Sequence, residues 1–365
     1  MLLLRLPQAP RTTDNPEVLL DKKAGTKQAD EQKPSQRRSE KAGITHFTKD
    51  MVSALAMALV AIVYVIQAFK IPSGSMEDSL LVGDFLLGLK FIYGAPVLPF
   101  MYTKFPGVTN PKPGDVIIFK YPGTDKKDYI KRCVAGPGDT VQIDTSRVMV
   151  NHRPFVLPPK GKYILGGLLD SSIANFAPLR VPTKGDTLRL GADVPCREFL
   201  YYKHLVKQEN PRTPIAVKYQ LYINGAFANN QKVLVNGYWE IPFGDIDFNK
   251  IDNWLEIDKV LRQVPGQFPD KTVEIRKLLY LNNNLVTQYI VKNDNYFMMG
   301  DNRDNSTDSR YWGFLNRNFV KAKAFILYFS WDSSRPLWDP LKIRWNRIGR
   351  LIRSWDGTRQ IAGAR

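Results

Sequence analysis

Three short segments hold the side chains best suited to bond-making chemistry. In Ile71-Pro-Ser-Gly-Ser-Met76, Pro72 and Gly74 bracket the serines and put Ser75 on irregular backbone, a common way to expose a nucleophile. Taken alone, Ser73-Gly74-Ser75 reads more often as an ordinary loop. In Tyr129-Ile-Lys-Arg-Cys-Val134, alternate residues of a strand share a face, so Lys131 lies beside Tyr129 and Cys133. Burial there would penalise the ammonium form, and a neutral lysine can take the proton of a serine hydroxyl. Moving its pKa from ~10.4 to ~8 requires roughly 3 kcal/mol of destabilisation of the charged state. Strand pattern alone favours the plainer alternative, an exposed Lys131 paired with Asp128. The third segment, GDNRDNSTDSRYWG from Gly300 to Gly313, crowds Asp, Asn and Ser between apolar runs. Calcium binding is its natural rival, but the glycine and terminal glutamate spacing of an EF-hand is missing and arginines interrupt the oxygens.

Other chemistries find little support. Cys133 and Cys196 are the only cysteines, too few for a zinc site and far apart in sequence. They are read as buried apolar side chains, with a disulfide left open. His46, His152 and His204 are the whole histidine supply, and none adjoins a nucleophile, which argues against a Ser-His-Asp triad. No metal and no organic cofactor is required. The formal net charge of +17 over 365 residues invites an anionic partner. No finger, RNP-like pattern or basic heptad is present, so nucleic acid is set aside in favour of membrane lipid.

The elements that must position these residues follow from pattern. Residues 1–47 are polar and charged and are read as a flexible tail. Met51–Phe69 runs 19 residues without a charge, which as a helix rises roughly 28 Å and can cross a bilayer. The anchor is placed at 48–69. Lys33, Arg37, Arg38, Lys41 and Lys49 precede it and Lys70 alone follows closely, so the N-terminus is expected in the cytoplasm and residues 70–365 outside. Beyond the anchor, short apolar runs alternate with turn signals such as Asn224-Gly225 and Asn236-Gly237. A mainly β architecture follows: an antiparallel sheet formed by 70–144 and 286–335, with a β-rich subdomain inserted at 145–285. In the basic tail, 336–365, Leu341, Trp345, Ile348, Ile352 and Trp355 recur at helical spacing, which predicts an amphipathic helix suited to lipid or to its own domain. Phe85–Tyr102, apolar apart from Lys90, is either sheet core or a segment dipping into lipid.

Taken in order, the anchor, SGSM, PGDVIIF, YIKRCVAGPGD and GDNRDNSTDSRYWG resemble the type I signal peptidases (leader peptidases) of bacteria over 48–145 and 290–332. The resemblance implies a membrane-bound serine endopeptidase of the inner membrane that removes signal peptides from exported preproteins after small residues at −3 and −1. It implies Ser75 as nucleophile and Lys131 as general base, where the endoplasmic-reticulum form has histidine. Ser73 would join the Ser75 amide in the oxyanion hole, and Ser306 would orient the lysine. Asp308 and Arg310 would form a supporting ion pair, with Gly300 and Asp301 in the same box. Asp78-Ser79 departs from the Pro-Thr often found there. Two rivals remain: a tethered assembly protein without catalysis, and a repressor-cleaving Ser-Lys protease, which the nearby span disfavours.

Overall fold

The computed structural model describes residues 33–98, 103–123, 127–145, 147–163, 171–235, 237–251 and 253–355. The chain divides into two compact units, Met1–Ala58 and Leu59–Arg365. In the first, helix α1 (Lys33–Val60) begins well before the apolar run. Residues 33–47, expected in the flexible tail, are therefore helical, and residues 1–32 lie outside the described residues. Extending a formed helix adds one hydrogen bond per residue fixed, and Pro34 falls in the first turn, where no intrahelical N–H is needed. The stretch long and apolar enough to span a membrane is His46–Val65, 20 residues of mean hydropathy 1.6 with none of that window buried.

Residues 66–69, assigned to the anchor by composition, are not helical. A π turn at Ala61–Val65 leads into strand β1 (Ile66–Lys70). Its backbone pairs antiparallel with Phe85–Leu89, and that ladder supplies the partners that further helix would have supplied. With β2 (Asp84–Leu89), β3 (Val116–Lys120), β4 (Asp128–Ala135), β5 (Asn295–Met299), β6 (Leu315–Asn316) and β7 (Val320–Ser330), it forms a seven-stranded sheet ordered β1-β2-β7-β3-β4-β5-β6. Every pairing in it is antiparallel. The unbroken apolar run of β3 is buried on both faces. Ile117 and Phe119 pack with Tyr93, Cys133 and Trp312, whereas Val116 and Ile118 pack with Ile71, Met76 and Leu80. Of the apolar segment from Phe85 onward, Leu86 and Tyr93 are core side chains; residues 99–102 lie outside the described residues.

Between β4 and β5 the chain builds a four-stranded sheet from Thr140–Asp144, Arg147–Val150, Arg153–Pro154 and Phe176–Arg180. A second is formed by Ile215–Ile223, Ala226–Phe227, Val273–Leu281 and Asn284–Val286. Asn224 and Gly225 both have positive φ, 51° and 79°, and close the tight hairpin between Ile223 and Ala226. Two helices accompany these sheets: α2 (Cys196–Glu209) lies between them in the chain, and α3 (Trp254–Gly266) lies between two strands of the second. Their periodicity is blurred in the sequence because Lys203, Gln208 and Asp258 are buried among the apolar residues. Val134, Ala135, Phe297, Met299 and Phe314 share one hydrophobic cluster with this region, so it packs directly against the core sheet.

The C-terminal amphipathic helix is not formed within the described residues. Residues 340–342 and 345–347 make single 3-10 turns, and the rest of the segment to Trp355 is turns and irregular chain with isolated bridges at Ile343 and Leu351. The reason lies in β7, which is 11 residues long against five for its neighbour β3 and so has backbone groups left to pair. The tail supplies them. Ile352 N–H donates to the Phe325 carbonyl at 2.7 Å, Leu327 N–H to Arg350 at 2.9 Å, and Arg344 N–H to Ser330 at 3.0 Å. Arg347, placed by helical spacing on a polar face, is buried against Asp84, with Nη2 2.5 Å from Oδ2 and Nε 3.0 Å from Oδ1.

Candidate active site

Ser75 lies in the connection between β1 and β2, within a 3-10 turn at Gly74–Met76. Apolar anchors hold the turn at both ends: Ile71 and Met76 are 2% and 0% exposed. Backbone bonds close the connection, from Ile71 N–H to Asp84 O at 2.8 Å and from Leu80 N–H to Met76 O at 2.7 Å. Lys131 projects from β4 directly at this turn. Its Nζ lies 2.6 Å from Ser75 Oγ and 3.2 Å from the Ile130 carbonyl. Asp128, the alternative partner, is held instead by Lys321 at 2.6 Å.

The amine is almost wholly enclosed. Lys131 is 3% exposed, with the Tyr129 ring centroid 5.4 Å from Nζ. Burial lowers its pKa to about 8; Asp308 and Asp301 act in the opposite direction, and Arg310 pushes it further down. A buried amine in hydrogen-bond contact with a buried hydroxyl, and with such a pKa, is able to act as a base near neutral pH.

The polar box fills the connection between β5 and β6 and forms the other wall. Asp308 receives Arg310 Nε and Nη2, each at 2.9 Å, together with the Gly300 N–H at 3.1 Å. Asp301 receives Arg132 Nε at 2.8 Å and Nη2 at 2.7 Å, and Arg132 Nη1 reaches the Gly114 carbonyl at 2.7 Å. Both pairs are buried and bidentate, the geometry in which removing one partner costs about 3–5 kcal/mol. The inserted region supports the box from behind: Tyr201 Oη and Trp254 Nε1 donate to the Arg310 carbonyl at 2.5 and 2.9 Å.

Gly300 has no room for a side chain. A Cβ there would fall well inside contact with Ser306 Oγ and the Ser75 carbonyl oxygen. Ser306 is thus brought to the site, but its Oγ is buried without a hydrogen-bond partner among the described residues, so the expected bond to Lys131 is not made. Ser73 is exposed in extended backbone at the entrance to the turn, with no side-chain cap bond.

Some contributors were not singled out from sequence. Asn302 ties the box to the nucleophile turn, its N–H donating to Ser75 O and its Nδ2 to Gly74 O, both at 3.1 Å. Lys162 pairs with Glu77 at 3.3 Å and Asp78 at 3.4 Å, beside the position where this chain carries Asp78-Ser79. Arg132 is adjacent to Lys131 and faces the other side of the strand; its charge opposite Asp301 was the available signal. Nothing local marks Tyr201 or Trp254, which act across more than 50 residues of chain. Among the described residues, no cluster of His, Cys, Asp and Glu is placed to hold a metal ion, and Cys133 and Cys196 are both free.

With this geometry in view, the similarities to known proteins fall into place. The family described as signal peptidase, peptidase S26, matches residues 44–167 and 215–331. Signal peptidase I of Aquifex aeolicus is 29% identical over 268 residues, 73% of this chain and 77% of that one. The signal peptidase I of Buchnera aphidicola from Schizaphis graminum is 28% identical over 288 residues, 79% of this chain and 75% of the relative. That of Pseudomonas aeruginosa is 27% identical over 303 residues, 80% and 75% respectively.

Proposed function

The chain belongs to the signal peptidase family, peptidase S26, as a bacterial type I enzyme, and we propose that it cleaves with Ser75 as nucleophile and Lys131 as general base. The observation that carries this reading is the 2.6 Å contact between Lys131 Nζ and Ser75 Oγ. Neutral Lys131 takes the hydroxyl proton as Ser75 attacks the scissile carbonyl. The oxyanion is received by the Ser75 N–H and the Ser73 hydroxyl, where one preorganised donor contributes roughly 3 kcal/mol. The ammonium of Lys131 then returns its proton to the departing amine. Water, deprotonated by the same lysine, resolves the acyl-enzyme and frees Ser75. Asp308–Arg310 and Arg132–Asp301 fix the wall against which Lys131 packs, while Gly300 lets Ser306 and the Ser75 turn approach each other.

The substrates we assign are exported preproteins with small residues at −3 and −1, presented at a membrane surface. The apolar span His46–Val65 and the excess of Lys and Arg before it support a single-pass anchor with a cytoplasmic N-terminus. In sealed inverted vesicles, added protease should therefore leave residues 70–365 intact; digestion of that region would reverse the topology.

Purified full-length protein in detergent, given a preprotein, should release the mature product. Ser75→Ala and Lys131→Ala should each lower kcat by at least about 10⁴-fold, since nucleophile and base act as one unit. Cleavage by either variant at the wild-type rate would refute the assignment.

A further inference from the structure

A crevice of about 630 Å³ lies on the face of the core sheet opposite Lys131, where Val116 of β3 and Arg132 of β4 form part of its floor. The size falls within the ~300–1,000 Å³ usual for ligand pockets. Neither Ser75 nor Lys131 lines it. Its outer wall is the C-terminal segment from Gly349 to Trp355, which lies beyond the part of the chain that the signal peptidase family matches.

Two kinds of surface meet here. Apart from Arg132, whose guanidinium is taken up by Asp301 and the Gly114 carbonyl, the floor is hydrocarbon: Leu80, Val116 and Leu327 are buried, and half-buried Ile352 closes over them. The rim carries three cations, Lys160, Arg350 and Arg353, and among the described residues none of them forms an ion pair. Two of them, Lys160 and Arg350, also repel each other. The Lys160 pKa is lowered by burial and by Arg350 and Arg347, with Asp78 offsetting this only in part. Unneutralised like charges around an apolar cleft are stabilised by an anion joined to a hydrophobic body.

We propose that this crevice binds an anionic phospholipid, with its phosphate among Lys160, Arg350 and Arg353 and one acyl chain along Leu80, Val116, Leu327 and Ile352. A free phosphate would leave the apolar floor unused. An acidic peptide would have to bury backbone amides against hydrocarbon that offers them no partners. An acyl chain has no such groups. The proposal does not depend on the roles of Ser75 and Lys131.

The test uses the full chain in a neutral maltoside detergent, with lipid occupancy read by native mass spectrometry. Phosphatidylglycerol and phosphatidylcholine of equal acyl length are the probes. Wild type should bind phosphatidylglycerol at least tenfold more tightly. Combined Lys160→Met, Arg350→Gln and Arg353→Gln should abolish that preference, while Leu351→Trp, on the crevice wall, should weaken both lipids. Unchanged preprotein cleavage reports that each variant is folded; if the triple variant is not, exposed Arg353→Gln alone should reduce the preference severalfold. Equal affinity for the two lipids overturns the proposal, as does binding indifferent to these substitutions. Displacement of the lipid by inorganic phosphate or an acidic peptide at comparable concentration overturns it too.

Discussion

At the scale of single residues, the question is how a lysine comes to act as a base. Three conditions set the answer: Lys131 is buried, Ser75 Oγ is within hydrogen-bond contact, and Asp301 and Asp308 are each occupied by an arginine. Had either carboxylate been free to face the amine, it would hold the proton in place. With both neutralised, burial dominates and the pKa falls to about 8. The sign of the pH dependence follows. Below about pH 8 the ammonium form prevails and cannot accept the serine proton, so kcat/KM should fall about tenfold per pH unit on descending from 7 to 5. Above about pH 8 it should level off. A profile measured on a short preprotein-derived substrate, flat from pH 6 to 10, would exclude Lys131 as the titrating base.

At the scale of elements, the site is a junction of a turn, a strand and a box, and its tolerances are set where they touch. Gly300→Ala tests the closest of these contacts. The new methyl must displace either Ser306 or the Ser75 carbonyl, and a shift of about 1 Å at a nucleophile costs on the order of 10²-fold in rate. We expect kcat to drop by that amount with only a modest loss of thermal stability; wild-type kcat in the folded variant would show that the turn can yield. Much of this junction was legible in the sequence, because Ser75, Lys131 and the Gly300–Arg310 box lie in short stretches whose types and order are specific. Local pattern did not yield Ser306's lack of a hydrogen bond, since a hydroxyl rotor depends on its three-dimensional neighbours. Nor did it yield Asn302, one polar residue among many in the box, whose role exists only because the Ser75 turn docks beside it. The C-terminal helix failed for a related reason. Its spacing was helical, but the unpaired length of β7 offered the same residues a ladder, and the buried Arg347–Asp84 pair fixed them in it.

At the scale of the whole molecule, the mainly β character could be read from alternating runs and turn signals, whereas the end of the anchor could not. Ile66–Phe69 are as apolar as the helix before them, and only pairing with Phe85–Leu89 turns them into a strand. That pairing has a mechanical consequence within Leu59–Arg365. The Ser75 turn is the connection between β1 and β2, so β1 holds its upstream end while the β2 ladder holds its downstream end. A chain beginning at Leu59 keeps both supports, and one beginning at Ile71 keeps only the second. The shorter chain should melt at a lower temperature, because it loses the ladder between the edge strand β1 and β2. Its kcat on a detergent-soluble preprotein should fall at least tenfold relative to the longer one, because Ser75 would sample positions out of reach of Lys131. Equal melting temperatures and equal kcat would mean that Ile71 and Met76, buried in the apolar cluster beneath the turn, suffice to place the serine and that β1 contributes nothing to it.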